Sequence, residues 1–251
     1  MLSEKLKKKP KKGYVNIYWL GGAGFILQSV DVLVVIDPYL SNSCEGKDGS
    51  FKRLVPSPIS AEKFLPDYVL VSHEHGDHLD ILSLPIFAGK ASKIIGPGSV
   101  MNTCQDLGID DNNLNKLNRG EIFETEKFSI RTVISDHGEY SPDQIGMIIE
   151  LEGKCIYYTA DTCYKWDLPS IIDVPNNIDV LLVPINGAYG NPNALEATHI
   201  ASWVNPKCVI PCHYWLFKEH GGNPNDFYIL MKEKNPYINV LIAAIGEKVT
   251  I

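Results

Sequence analysis

Six consecutive residues, His73-Glu74-His75-Gly76-Asp77-His78, place three imidazoles and a carboxylate in one short turn after the apolar run Tyr68-Val69-Leu70-Val71. A divalent ion with tetrahedral preference takes four ligands, and one short turn cannot aim all four of these groups at a single centre. The spacing therefore points to two ions, with His73 and His75 on one side of an extended segment and Asp77 and His78 beyond the turn that Gly76 permits. A solvated histidine-rich turn is the bland alternative. Three of the chain's 7 histidines within six residues argue against it.

A two-ion site needs further ligands, including an anionic group able to bridge ions about 3.5 to 4 Å apart. Of the four remaining histidines, His137 and His213 follow strand-like runs at 130–134 and 209–211, and Asp161 follows the run 155–159. Side chains at strand ends converge on one rim of a sheet. Each residue alone reads more simply as a structural histidine or a capping aspartate, whereas together they complete a ligand set.

These groups need strands to carry them. Apolar runs at 15–20, 24–30 and 32–36, separated by Gly21-Gly22 and Asp31, predict an antiparallel meander. Residues 41–60, rich in Gly, Ser, Asn and Pro, predict a long loop at the mouth of the metal turn. Segments 79–88 and 98–107 read as helices, the first interrupted by Pro85. Further strands are expected at 68–71, 128–134, 145–151, 154–159, 180–183, 208–210 and 240–243, with helices at 194–203 and 226–234. The class is α/β (α+β): two packed sheets with helices outside. Nothing after Tyr14 resembles a linker, so 14–251 is expected as one domain and 1–13 as a disordered basic arm.

At 251 residues and 45% hydrophobic, the chain can bury a core without staples. The net charge is −7, and six lysines in the first twelve residues make the body more acidic still, which disfavours nucleic-acid binding. Six cysteines without a C-x-x-C pair read as reduced thiols, with Cys163 and Cys212 as bystanders beside the site. The start lacks the apolar core of a secretory signal, and no apolar run reaches about 18 residues, so a cytoplasmic protein without membrane insertion is expected. A small-molecule substrate is the expected partner, and self-association into a homo-oligomer is left open.

The order Asp37 in Ile36-Asp37-Pro38, the 73–78 turn, His137, Asp161 in Ala160-Asp161-Thr162, and His213 resembles the metallo-β-lactamase-fold metallohydrolases through the body of the chain. The resemblance implies a four-layer αββα sandwich and two divalent ions, zinc or manganese. His73, His75 and His137 would hold the first, Asp77, His78 and His213 the second, and Asp161 would bridge them. Asp37 corresponds to a carboxylate that orients ligands from behind. Within the superfamily, Trp19-Leu20-Gly21-Gly22-Ala23-Gly24-Phe25, Tyr158-Thr159-Ala160-Asp161-Thr162, Val183-Pro184-Ile185-Asn186-Gly187 and Ile210-Pro211-Cys212-His213-Tyr214 are similar to the L-ascorbate-6-phosphate lactonase branch. Alanine stands at 160 where the related motif more often has glycine.

The activity so implied is a metal-dependent hydrolase that opens a lactone of a polar sugar-acid or phosphorylated metabolite. Its nucleophile is a bimetal-bound hydroxide, because coordination lowers the pKa of water from about 15.7 to about 7, and Asp77 both ligates and contacts that nucleophile. The rivals are a phospholipase-like phosphodiesterase and a catalytically silent metal-binding regulatory module. Asn186, Tyr214 and His220 are candidate substrate contacts, against a turn asparagine, a packed tyrosine and an ordinary loop histidine. His199 reads as a helix-face histidine.

Overall fold

Uninterrupted apolar strands need cover on both faces, and successive residues of the opening meander enter two different cores. In β1 (Asn16–Gly21), β2 (Gly24–Gln28) and β3 (Leu33–Ile36), the side chains of Ile17, Trp19, Phe25, Leu27, Val34 and Ile36 face one core. Tyr18, Leu20, Ile26 and Val35 face the other. The computed structural model describes residues 1–90 and 92–251.

These strands pair antiparallel, as the sequence predicts, and the sheet continues in parallel through β4 (Tyr68–Leu70), β5 (Lys93–Gly96) and β6 (Leu114–Lys116). The second sheet runs from β7 (Ile122–Glu124) through β8 (Phe128–Ile134), β9 (Ile145–Leu151), β10 (Lys154–Tyr158), β11 (Val180–Pro184) and β12 (Cys208–Cys212) to β13 (Asn239–Val240). It is antiparallel up to β10 and parallel beyond. The strand β14 (Lys248–Thr250) returns to the edge of the first sheet beside β1.

The two sheets share one large core. Helices α1 (Leu2–Leu6), α2 (Leu84–Gly89) and α3 (Gly98–Asp106) close the outer face of the first sheet through Leu6, Phe87 and Val100. A short α4 (Leu168–Ile171) precedes α5 (Ala194–Val204) and α6 (Pro224–Lys234), which cover the second sheet with Ala197, Ile200, Phe227 and Met231. The arrangement is the αββα sandwich of two mixed sheets flanked by helices. Among the described residues, no helix is long and apolar enough to cross a membrane.

Three expectations change. Pro85 does not interrupt a helix from 79 but opens α2, where its fixed φ suits the first turn and its missing N–H costs nothing. Of the strand expected at 240–243 only Val240 is extended in a sheet, as the end of β13, and the chain then crosses to the other sheet as β14. The basic segment 1–13 is not a disordered arm: Leu2 and Leu6, one helical turn apart, are buried in the outer core, and Gln28 Nε2 donates to the Leu6 carbonyl. Lys5 Nζ and Lys9 Nζ donate to the Gly246 and Val30 carbonyls at 2.8 Å each. Two leucines among six lysines suffice because the lysines serve the rim while the leucines fill the core.

Leu6→Ala is expected to lower the unfolding free energy by about 2 to 5 kcal/mol, read as a lower urea midpoint. A wild-type midpoint would show that the segment is not docked.

Candidate metal centre

All the sequence-predicted donors lie at one rim because the strands preceding them run in one direction. β3 and β4 are parallel, β8 and β10 both run opposite to β9, and β10 to β12 are parallel. Asp37, the 73–78 turn, His137, Asp161 and His213 thus leave the C-terminal ends of β3, β4, β8, β10 and β12, the edge where layered α/β folds place their sites. Three triplets form there, each with donor atoms within 4.8 Å of one another: His73, His75 and His137; Asp77, His78 and His213; and Asp37, His73 and His78, in which the carboxylate is already engaged by neighbouring donors.

Hydrogen bonds set the protonation of the rings. Asp37 is buried and accepts from Ser72 N at 2.7 Å on Oδ1, and from Ser72 Oγ at 2.6 Å, Tyr158 OH at 2.5 Å and His78 Nδ1 at 2.7 Å on Oδ2. With its own proton given to Asp37, Ser72 Oγ accepts from His73 Nδ1 at 2.9 Å. His75 Nε2 faces the Tyr140 carbonyl at 3.2 Å, which can only accept. The lone pairs of His73 Nε2 and His75 Nδ1 therefore point at each other across 2.9 Å with no proton between them. His78 Nε2 meets His213 Nε2 at 3.1 Å, and Asp77 Oδ2 lies 3.4 Å from the latter. Both oxygens of Asp37 are engaged in these bonds, on the Nδ1 side of His78 and, through Ser72, of His73.

Asp161 reaches between the rings. Its Oδ2 accepts from Asn191 Nδ2 at 2.7 Å, while its buried Oδ1 has no hydrogen-bond partner and stands 3.4 Å from His78 Nε2 and 3.3 Å from His213 Nε2. Burial pulls the Asp161 carboxyl upward, but His213 and His78 overcome it and hold the group well below the usual range. Burial likewise pulls His78 and His213 down, but the carboxylates of Asp161 and Asp77 leave both raised. This half of the site attracts positive charge. Burial keeps His73 and His137 low, in the neutral form that offers a lone pair. Opposed lone pairs, an orphaned carboxylate oxygen and an oxygen–nitrogen donor set together fit divalent cations.

The cavity above the donors measures about 410 Å³ and includes His220, whose Nε2 is 3.8 Å from Asp77 Oδ2. Burial and the neighbouring His213 hold His220 down to about 4, so the ring is uncharged at neutral pH. Asn186 and Tyr214, proposed from sequence as substrate contacts, do not line it. Tyr214 lies in the core against Trp19, with ring centroids 4.8 Å apart, and Asn186 Nδ2 donates to the Ala188 carbonyl. Both instead back the loop carrying His220: a Cβ on Gly222, at φ +87°, would meet Tyr214 Cβ at 2.8 Å, and one on Gly221 would meet the Asn186 carbonyl at 2.7 Å. His199 is exposed on α5, 5.5 Å from the ring centre of Tyr164.

Sequence reasoning missed Ser72, Tyr158 and Asn191. Ser72 alone carried a local signal, its place immediately before the turn. The Gly21-Gly22 bend is also part of the support: the Gly22 carbonyl accepts from His213 N at 2.7 Å and Trp19 Nε1 at 2.9 Å, and a Cβ there would strike Leu216 at 2.7 Å.

The beta-lactamase superfamily domain model matches residues 16–213, from β1 to the last strand-end histidine of the site. The chain belongs to this superfamily, and within it to the UPF0173 metal-dependent hydrolases. It is 30% identical over 223 residues to the UPF0173 metal-dependent hydrolase of Desulforamulus reducens, covering 85% of this chain and 90% of the relative. The Archaeoglobus fulgidus relative of the same name is 28% identical over 250 residues, with 93% and 97% covered. The structure of Igni18, a metallo hydrolase from Ignicoccus hospitalis, shares the fold with a TM-score of 0.76 at 23% identity, covering 95% of this chain and 98% of Igni18.

Removing a hydrogen-bond partner behind a ligand histidine typically weakens metal affinity by about 10- to 100-fold. Ser72→Ala is expected to show that loss in chelator competition, while His199→Ala keeps wild-type affinity. Equal affinities in the two variants would remove Ser72 from the site.

Proposed function

We propose that the chain is a two-metal hydrolase that opens lactones or related carboxylic esters, in the manner of the lactonase-like branch it resembles. The observation that carries this reading is the pair of donor triplets at the floor of the cavity with Asp161 Oδ1 left unpartnered between His78 and His213. His73, His75 and His137 would hold one ion, Asp77, His78 and His213 the other, and Asp161 both. The imidazole and carboxylate set suits zinc or manganese. Bound there, such ions supply Lewis acidity toward a substrate oxygen and acidify water at neutral pH.

The chain's own residues do the rest. Asp77 Oδ2, at the cavity floor beside His213 and His220, accepts the proton of the attacking water. The water oxygen adds to the acyl carbon, the acyl C–O bond breaks, and the ring alkoxide takes up that proton to give a hydroxy acid. Asp37, through Ser72 and His78 Nδ1, keeps the ligand rings from rotating during turnover. His220 enters as a neutral hydrogen-bonding group next to Asp77.

The test is a hydrolysis screen of lactones, phosphodiesters and thioesters with protein loaded separately with zinc and with manganese. Lactone turnover is expected, and Asp77→Asn should lower kcat by about 10²- to 10⁴-fold. Turnover confined to phosphodiesters would replace the lactonase reading. No turnover of any compound by metal-loaded protein would favour a silent metal-binding module.

A further inference from the structure

We infer that the cavity selects an uncharged substrate bearing an aromatic or similarly apolar group, gripped by Phe51, Tyr189 and Phe217 opposite the metal donors. The inference rests on the hydrolase reading for the polar end of the substrate and concerns the other end. The donors form the floor, and the walls are Cys44, Phe51, Tyr140, Tyr189 and Phe217. Among the described residues, none lining the cavity is a lysine or an arginine. Arg53 stacks on Tyr39 behind the Phe217 wall and does not line the cavity: its Nε and Nη1 donate to the Val55 and Tyr39 carbonyls while its buried Nη2 has no partner, and Lys165 pairs with Asp136. A phosphate remote from the scissile bond would thus lie among rings with no cation to meet it, a costly burial. A polyhydroxylated chain fares little better, because each buried hydroxyl needs a partner and the walls offer few.

The rings are placed with care for one another. Phe51 comes from the loop between β3 and β4, and Tyr189 from the loop between β11 and α5, yet their centroids are 6.2 Å apart. Phe217 meets Phe51 edge-on, at 5.6 Å and 88°, and Tyr39 at 5.6 Å and 74°. Phe51 and Tyr189 both hold left-handed backbone, with φ of +50° and +54°. That conformation is unfavourable for a bulky side chain, and such strain clusters at ligand clamps. Tyr189 is 45% exposed, so burial in the core does not explain its placement. Burial, followed by the Asp77 carboxylate, pushes the Cys44 thiol up to about 11, leaving that wall uncharged. A ring flanked by Phe51, Tyr189 and Phe217, with its acyl group directed to Asp77, uses all of these features.

Binding of two product-like acids to metal-loaded protein by isothermal titration calorimetry tests this without requiring turnover. The probes are (2-hydroxyphenyl)acetate, from an aromatic lactone, and 6-phosphogluconate, from a phosphorylated sugar lactone. The aryl acid is expected to bind about tenfold or more tightly than the phosphorylated one, and Phe51→Ala and Tyr189→Ala should each remove most of that advantage. Equal or tighter binding of 6-phosphogluconate by wild type would overturn the proposal, as would aryl-acid affinity unchanged in both variants. Ring-dependent binding without hydrolysis of any lactone or ester would keep this inference and sink the hydrolase reading. Lactone hydrolysis without ring discrimination would do the reverse.

Discussion

The buried carboxylate of Asp37 ties the molecule together. Removing a carboxylate from water costs several kcal/mol unless its oxygens are fully hydrogen-bonded, and both oxygens of Asp37 are engaged by four donor groups. Ser72 and His78 come from the turn after β4 in the first sheet, whereas Tyr158 ends β10 in the second. One side chain therefore pins the two sheets together at the rim where the donors meet. It also determines which nitrogen of His78 carries the proton and, through the Ser72 hydroxyl, which nitrogen of His73 does.

The same rim is where the backbone is least relaxed. Asp37, Ala160 and His213 have φ of +42°, +56° and +57°, each at or just before a donor that leaves a strand end. A left-handed residue turns the chain sharply at the sheet edge instead of letting it continue along the strand. Such positions persist only when their surroundings over-determine them. Asp37 N donates to the Leu70 carbonyl and His213 N to the Gly22 carbonyl, so the strain is held by neighbouring strands. Ala160, standing where the related motif more often has glycine, shows that the position demands this conformation even of a residue with a Cβ.

The cavity is divided in a way that bears on chemistry. Its floor concentrates carboxylates and imidazoles in a region of low dielectric, where charges act on one another more strongly than in water. Its walls are rings and an uncharged thiol. A substrate with one polar, electrophilic end and one apolar end has a single favourable orientation in such a space.

The donors of the 73–78 turn were legible in the sequence because their spacing is local, and the strand-end positions of His137, Asp161 and His213 followed from apolar runs that needed no knowledge of the fold. The meander, the two-sheet class and most strands after residue 128 were legible for the same reason: burial on one or both faces leaves a period in the chain. The docked N-terminal helix was hidden because two leucines among six lysines carry little compositional weight until a core exists to receive them. The strand β14 was hidden because three residues, two of them exposed, are too few to establish a period. Tyr158 beneath Asp37 and Asn191 on Asp161 join positions 121 and 30 residues apart, and no local pattern marks either contact. The sequence by itself determined which groups are available and roughly where each leaves its strand. Only the tertiary structure decided which lone pairs face one another and which rings close the cavity, because those depend on how two sheets and two distant loops are brought into register.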